Sequence, residues 1–150
     1  MAIGDICTRD TVFTTRESSI AAAAGLMREH HVGDLVVVEE KGGRRVPVGI
    51  LTDRDLVIEI LAKGVDMNSL TVGDLMIEEL VTARESDGLY ETIQRMRAKG
   101  VRRVPVVDAD NSLIGIVSVD DLLDLLADEL TALARLVSRE QARERTRRGG

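Results

Sequence analysis

The sequence predicts a duplicated α/β fold with mixed sheets. Two observations predict it. Gly49-Ile50-Leu51-Thr52-Asp53-Arg54-Asp55-Leu56 returns 66 residues later as Gly115-Ile116-Val117-Ser118-Val119-Asp120-Asp121-Leu122. Upstream, Ile3-Gly4-Asp5-Ile6-Cys7 returns as Val72-Gly73-Asp74-Leu75-Met76, shifted by 69. A repeat of that length is one supersecondary unit used twice.

Each element follows from the pattern. The shift of 69 carries Ile20, Ala24 and Met27 onto Leu89, Ile93 and Met96. That spacing is one face of a helix. Ser18 and Asp87 precede the two helices as expected N-caps. Near Thr14 and Thr82 the match is loose by one residue. Leu35-Val36-Val37-Val38 matches Val104-Pro105-Val106-Val107, two short apolar strands. A longer turn from Glu39 to Arg45, containing Gly42-Gly43, then drops the shift to 66; the second copy turns through Asp108 to Asn111. The unit is therefore β-α-β-β-α. Neither copy can cover both faces of its sheet, so the two should pack on each other. The expected boundaries are 1–68 for the first repeat, 69–126 for the second, and 127–150 for a C-terminal helix extension and charged tail.

The repeated Thr52-x-x-Asp55 and Ser118-x-x-Asp121 patterns precede apolar runs, which makes them capping boxes. The same atoms allow another use. A strand that runs into a helix N-terminus presents free N–H groups, an anion site, and a neighbouring carboxylate can hold ribose hydroxyls.

Composition narrows the functions. Hydrophobic residues are 44% of the chain and charged residues 31%, enough for a buried core. No apolar run approaches the ~20 residues of a membrane span, and no signal pattern opens the chain. A single cysteine forms no internal disulfide, which fits the cytoplasm. Cys7 aligns with Met76 and so reads as an apolar residue rather than a nucleophile. His30 and His31 align with Lys99-Gly100, so no metal-ligand spacing repeats. A net charge of -6, one Phe, one Tyr and no Trp argue against nucleic acid as the main partner. No nucleophile-base constellation or glycine-rich phosphate loop of a known pattern appears.

The ordered set of these motifs, present twice over residues 3 to about 126, resembles a pair of cystathionine-β-synthase (CBS) domains, a Bateman module. The second copy carries the family's apolar-Pro-Val-Val-Asp strand, Val104-Pro105-Val106-Val107-Asp108; the first has Leu35-Val36-Val37-Val38-Glu39 without the Pro. The resemblance implies a regulatory, pseudo-twofold pair that binds an adenosyl compound (AMP, ADP, ATP or S-adenosylmethionine) in crevices between the repeats. It places Asp55 and Asp121 on the ribose, Thr52 and Ser118 beside the ligand, and Val104 and Pro105, in the second copy's strand, among the ligand-binding residues. Arg102 and Arg103, just before that strand, fall where phosphate-binding members carry basic residues; the first copy has Gly33 and Asp34 there. Arg54 reads either as a further phosphate contact or as an exposed helix-start arginine.

With two repeats over most of these 150 residues, the expectation is that they hold no fused enzyme. The expectation is a stand-alone sensor acting on a separate protein; the alternative is an interaction scaffold without a nucleotide. In the first copy the last helix should stop at Gly64. In the second, Leu122, Leu123 and Leu126 run on into Leu130, Leu133 and Val137. A stripe that outruns its repeat needs another surface, which predicts a homodimer with this helix contributing. Arg139 to Arg148 should then be a frayed tail. Its five arginines against two glutamates are the one feature that points toward nucleic acid.

Overall fold

A computed structural model describes residues 1–149. The chain divides into a unit of residues 1–117 and a second unit from Ser118 onward. The first repeat runs α1 (Ile3–Ile6), β1 (Phe13–Thr15), α2 (Ile20–His30), β2 (Asp34–Lys41), β3 (Arg44–Thr52) and α3 (Asp53–Leu56), which passes into a π-helical turn at Val57–Leu61. A short 3-10 turn, Met67–Ser69, leads to the second repeat. This runs α4 (Val72–Leu75), β4 (Ala83–Arg84), α5 (Leu89–Lys99), β5 (Arg103–Val107), β6 (Leu113–Ser118) and α6 (Val119–Arg147). The predicted α/β duplication is present, with a short helix added at the start of each repeat.

Each repeat builds a three-stranded mixed sheet, ordered β1-β2-β3 and β4-β5-β6. Parallel pairing sets Thr14 against Val37 and Ala83 against Val106. Thr14 therefore matches Ala83 at the constant shift of 69, and the looseness expected there is absent. The first hairpin is tighter than predicted. β2 continues to Lys41 and β3 starts at Arg44, so only Gly42-Gly43 turn, with φ of 58° and 77°. Positive φ at both central residues is the twist-matched hairpin turn that glycine favours. Pro47 lies opposite Val38, beside the register shift at Val37/Val38. A residue without an N–H fits at such an irregularity.

The repeats trade their first helices. Ile3 N–H donates to Asp87 O at 2.8 Å and Gly4 N–H to Glu85 O at 2.9 Å. Reciprocally, Val72 N–H donates to Ser18 O at 3.0 Å and Gly73 N–H to Arg16 O at 2.9 Å. Val72 and Met76 consequently enter the first repeat's core, with Ala23, Met27, Leu35, Val37 and Leu51. The glycine that opens each repeated motif makes room for the other copy. A Cβ on Gly49 would meet Ile77 O at 2.9 Å, and one on Gly115 would meet Thr8 O at 2.7 Å. Cys7 Sγ lies over Gly115 as Met76 Sδ lies over Gly49. Burial raises the Cys7 thiol pKa, in keeping with an apolar role.

Three local expectations are corrected. The cap of α2 is Ser19, whose Oγ accepts from Ala22 N–H at 3.1 Å, and the cap of α5 is Gly88. Ser18 Oγ instead meets Thr15 Oγ1 at 3.1 Å, and Asp87 Oδ2 accepts from Arg84 N–H and Arg95 Nη1. The residues from Arg139 are not frayed: α6 stays helical to Arg147, and Arg148 pairs with Glu144 at 3.2 Å. Gly64 does end the first repeat's last helix, with Val65 N–H closing on Ile60 O at 3.1 Å.

Candidate functional site

In the first unit a crevice of about 420 Å³ opens between the repeats. The first repeat supplies Gly33, Ile50, Thr52, Asp53 and Arg54. The second supplies Ile77, Glu79, Leu80 and Val81, together with Gly100, Val101, Arg102 and Arg103. One wall is thus the turn from β3 into α3; the opposite wall is the approach to β5. Apolar side chains from Ile50, Ile77, Leu80 and Val81 give the crevice a surface for a flat apolar group.

Thr52 and Asp55 form a complete capping box. Asp55 N–H donates to Thr52 Oγ1 at 3.1 Å, and Thr52 N–H donates to Asp55 Oδ2 at 2.9 Å. Asp55 therefore stands behind the lining and fixes the Thr52 turn. Asp53 stands at the lining itself: its N–H donates to Gly33 O at 2.9 Å and its Oδ1 accepts from Arg54 N–H at 2.8 Å.

On the opposite wall β5 begins at Arg103, so Arg102 precedes the strand and strand alternation does not divide the pair. Both line the crevice. Arg103 Nε donates to Asp34 Oδ1 at 2.9 Å, crossing from one repeat to the other. Burial raises the Asp34 pKa above its ordinary value, Arg103 opposes that shift, and Asp53 adds to it.

Of the residues singled out from sequence, Thr52, Arg54, Arg102 and Arg103 meet at this crevice. Val104 and Pro105 are buried within β5. Ser118 and Asp121 cap α6 in the second unit, Asp121 N–H donating to Ser118 Oγ at 3.2 Å; they are not among the residues of this crevice. Sequence reasoning missed Asp53, Glu79 and the Ile77–Val81 segment. For Asp53 a signal was available, since it lies inside the repeated motif; Ile77 to Val81 reach the crevice through the exchange of first helices, which no local pattern marks. Among the described residues, no group of three or more His, Cys, Asp or Glu gathers as metal ligands. No helix among them is long and apolar enough to cross a membrane.

The fold defines a class: two β-α-β-β-α repeats that exchange their first helices and share a crevice. The chain belongs to the CBS domain family, whose model matches residues 3–62 and 72–128. An uncharacterized protein of Methanopyrus kandleri, MK0525, is 34% identical over 125 residues, which are 83% of this chain and 62% of that one. The structure of Hypoxic Response Protein I, solved with two coordinated zinc ions, is 34% identical, with a TM-score of 0.70 over 83% of this chain and 98% of that one. The CBS domain pair of MJ0100, in complex with 5′-methylthioadenosine and S-adenosyl-L-methionine, is 27% identical. Its TM-score is 0.71 over 84% of this chain and 99% of that one.

Proposed function

We propose that this chain is a ligand-sensing module that holds an adenosyl compound in the crevice between its repeats and signals to a separate protein. The observation that most supports this is the meeting of Thr52 and Arg54 with Arg102 and Arg103 around one apolar-floored cleft. An adenine nucleotide offers a flat base, a diol and an anion. Ile50, Ile77, Leu80 and Val81 suit the base. The Thr52 turn, with Asp55 or Asp53, suits the diol, because a carboxylate accepts what the diol donates. Arginine suits phosphate because its fork matches the oxygens. The MJ0100 pair, with its two adenosyl ligands, supports the same ligand class here. Ser118 and Asp121 would serve the corresponding place of the second repeat.

The role is regulatory rather than catalytic, in line with CBS domain proteins generally. The place of work is the cytoplasm, and the working form is a homodimer to which α6 contributes. A second reading, a scaffold without a nucleotide, draws on one observation: Arg103 is already engaged by Asp34. A thermal-shift screen with AMP, ADP, ATP, S-adenosylmethionine, NAD and cyclic dinucleotides separates the two. A ligand at 100 times its dissociation constant should stabilise by about 2.7 kcal/mol. No shift with any adenosyl compound would leave the scaffold reading.

A further inference from the structure

We infer that α6 pairs with α6 of a second copy of this chain, and that the two helices run antiparallel. This rests on the homodimer reading above and adds its direction and register. α6 is 29 residues long and exposes Leu123, Leu126, Leu130, Leu133, Leu136 and Val137, with Leu130 70% exposed. Five of them, Leu123, Leu126, Leu130, Leu133 and Val137, follow one another at steps of three, four, three and four. That is the seam of a two-helix coiled coil, two heptads long. The seam has the length and the periodicity to cover itself with a like helix.

The charges choose the direction. Residues 119–133 hold five acids and no base; residues 134–147 hold five arginines and two glutamates. Acids near the start and bases near the end suit the helix's own dipole, but that effect fades beyond the first and last turns. Asp128, Glu129, Arg135 and Arg139 lie outside those turns, so the dipole does not account for them. A parallel pair would set acids on acids and arginines on arginines. An antiparallel pair sets each acidic half along an arginine-rich half, and the register that does so pairs four of the five seam residues, leaving Leu123 opposite Glu140 of the partner subunit. Leu130 lies opposite Leu133 of the partner subunit, and Leu126 opposite Val137 of the partner subunit. Ala127 and Ala134 flank that centre and leave room for close approach.

The test uses the full chain with Cys7→Ser and a nitroxide on Thr131→Cys or, separately, Arg145→Cys. Both sites are exposed and off the seam. The antiparallel register brings the two labels at position 131 close together. It sets the two at position 145 about 27 residues apart along the pair, roughly 40 Å at 1.5 Å per residue. Dipolar spectroscopy should show broadening at 131 and a long distance at 145. Short distances at both sites would mean a parallel pair and overturn the inference. A long distance at 131 in a chain that sediments as a dimer would place the contact elsewhere, overturning this inference while keeping the homodimer. A parent that sediments as a monomer would sink both. Leu130→Glu, with helix content unchanged by circular dichroism, should convert the parent dimer to monomer; a persistent dimer would also overturn the pairing.

Discussion

Arg103 Nε donates to Asp34 Oδ1 at 2.9 Å, and this bond ties one repeat to the other at the crevice wall. The shift of 69 makes the two residues counterparts, so the pair joins equivalent positions of the duplication. It also occupies one of the cations that a phosphate would need.

Asp34→Asn should therefore release Arg103 to a phosphate. AMP should bind more tightly by about 1 kcal/mol, the net worth of a hydrogen bond, and adenosine should be unaffected. Calorimetry of the two ligands on the variant and parent checks this; an equal change for both would show that Arg103 does not reach phosphate.

The same pair predicts a slope in stability with pH. Burial raises the Asp34 pKa, so the folded protein holds that proton more tightly than the unfolded chain does. Its contribution is fully present below the ordinary value near 3.8 and is lost as pH rises from there through the folded value. Asp87 has the opposite sign. Burial raises its pKa, but hydrogen bonds from Arg84 N–H and Arg95 outweigh that and hold it below 3.8. Its contribution is present above 3.8 and is lost as pH falls through the folded value. Urea melts between pH 2 and 7 should show the first slope vanish in Asp34→Asn and the second in Asp87→Asn.

The glycines that let the repeats cross predict a packing cost. Alanine at Gly49 or Gly115 would place a Cβ within 3 Å of a backbone oxygen of the other repeat. Each substitution should destabilise by about 1 to 3 kcal/mol, as overpacking does. Denaturant unfolding measures it; a neutral Gly115→Ala would mean the Thr8 segment moves aside freely.

Asp55 separates capping from binding. Asp55→Ala removes the acceptor for Thr52 N–H and should cost about 1 kcal/mol of stability. Asp55→Asn keeps an acceptor oxygen, so its melting temperature should stay close to the parent's. Its affinity for every adenosyl ligand, adenosine included, should fall by about 1 to 3 kcal/mol. If Asp55→Asn binds as the parent does, Asp55 is a helix cap alone, and Asp53 becomes the carboxylate to test at the ribose.

The duplication was legible in the sequence because apolar spacing, the glycines and the hydroxyl-x-x-acid pairs recur at fixed shifts. Thr52 was legible for the same reason; Arg54 was legible from its place inside the repeated motif, and Arg102 and Arg103 only through the family resemblance, since the first copy has Gly33 and Asp34 there. What escaped was tertiary. Nothing local tells Ser18 from Ser19 as a cap; Ser18 is drawn away by Thr15 Oγ1. Nothing local says that Asp34 meets its counterpart Arg103, or that Ile77, Glu79, Leu80 and Val81 line the crevice. The end of α6 reads as charged and frayed, yet Arg, Glu, Gln and Ala are good helix formers, and Glu144–Arg148 adds an i,i+4 pair.

The central claim is that this crevice binds an adenosyl compound, with phosphate on the arginine wall. The most direct measurement is calorimetric titration of adenosine, AMP and ATP into the parent, Arg102→Ala and Arg103→Ala at fixed salt. The parent should bind at least one of these ligands. At least one arginine variant should lose affinity for AMP and ATP by more than a neutral hydrogen bond is worth, about 1.5 kcal/mol or more, while adenosine barely changes. Equal losses for adenosine and ATP in both variants, or no binding by the parent, would contradict the account.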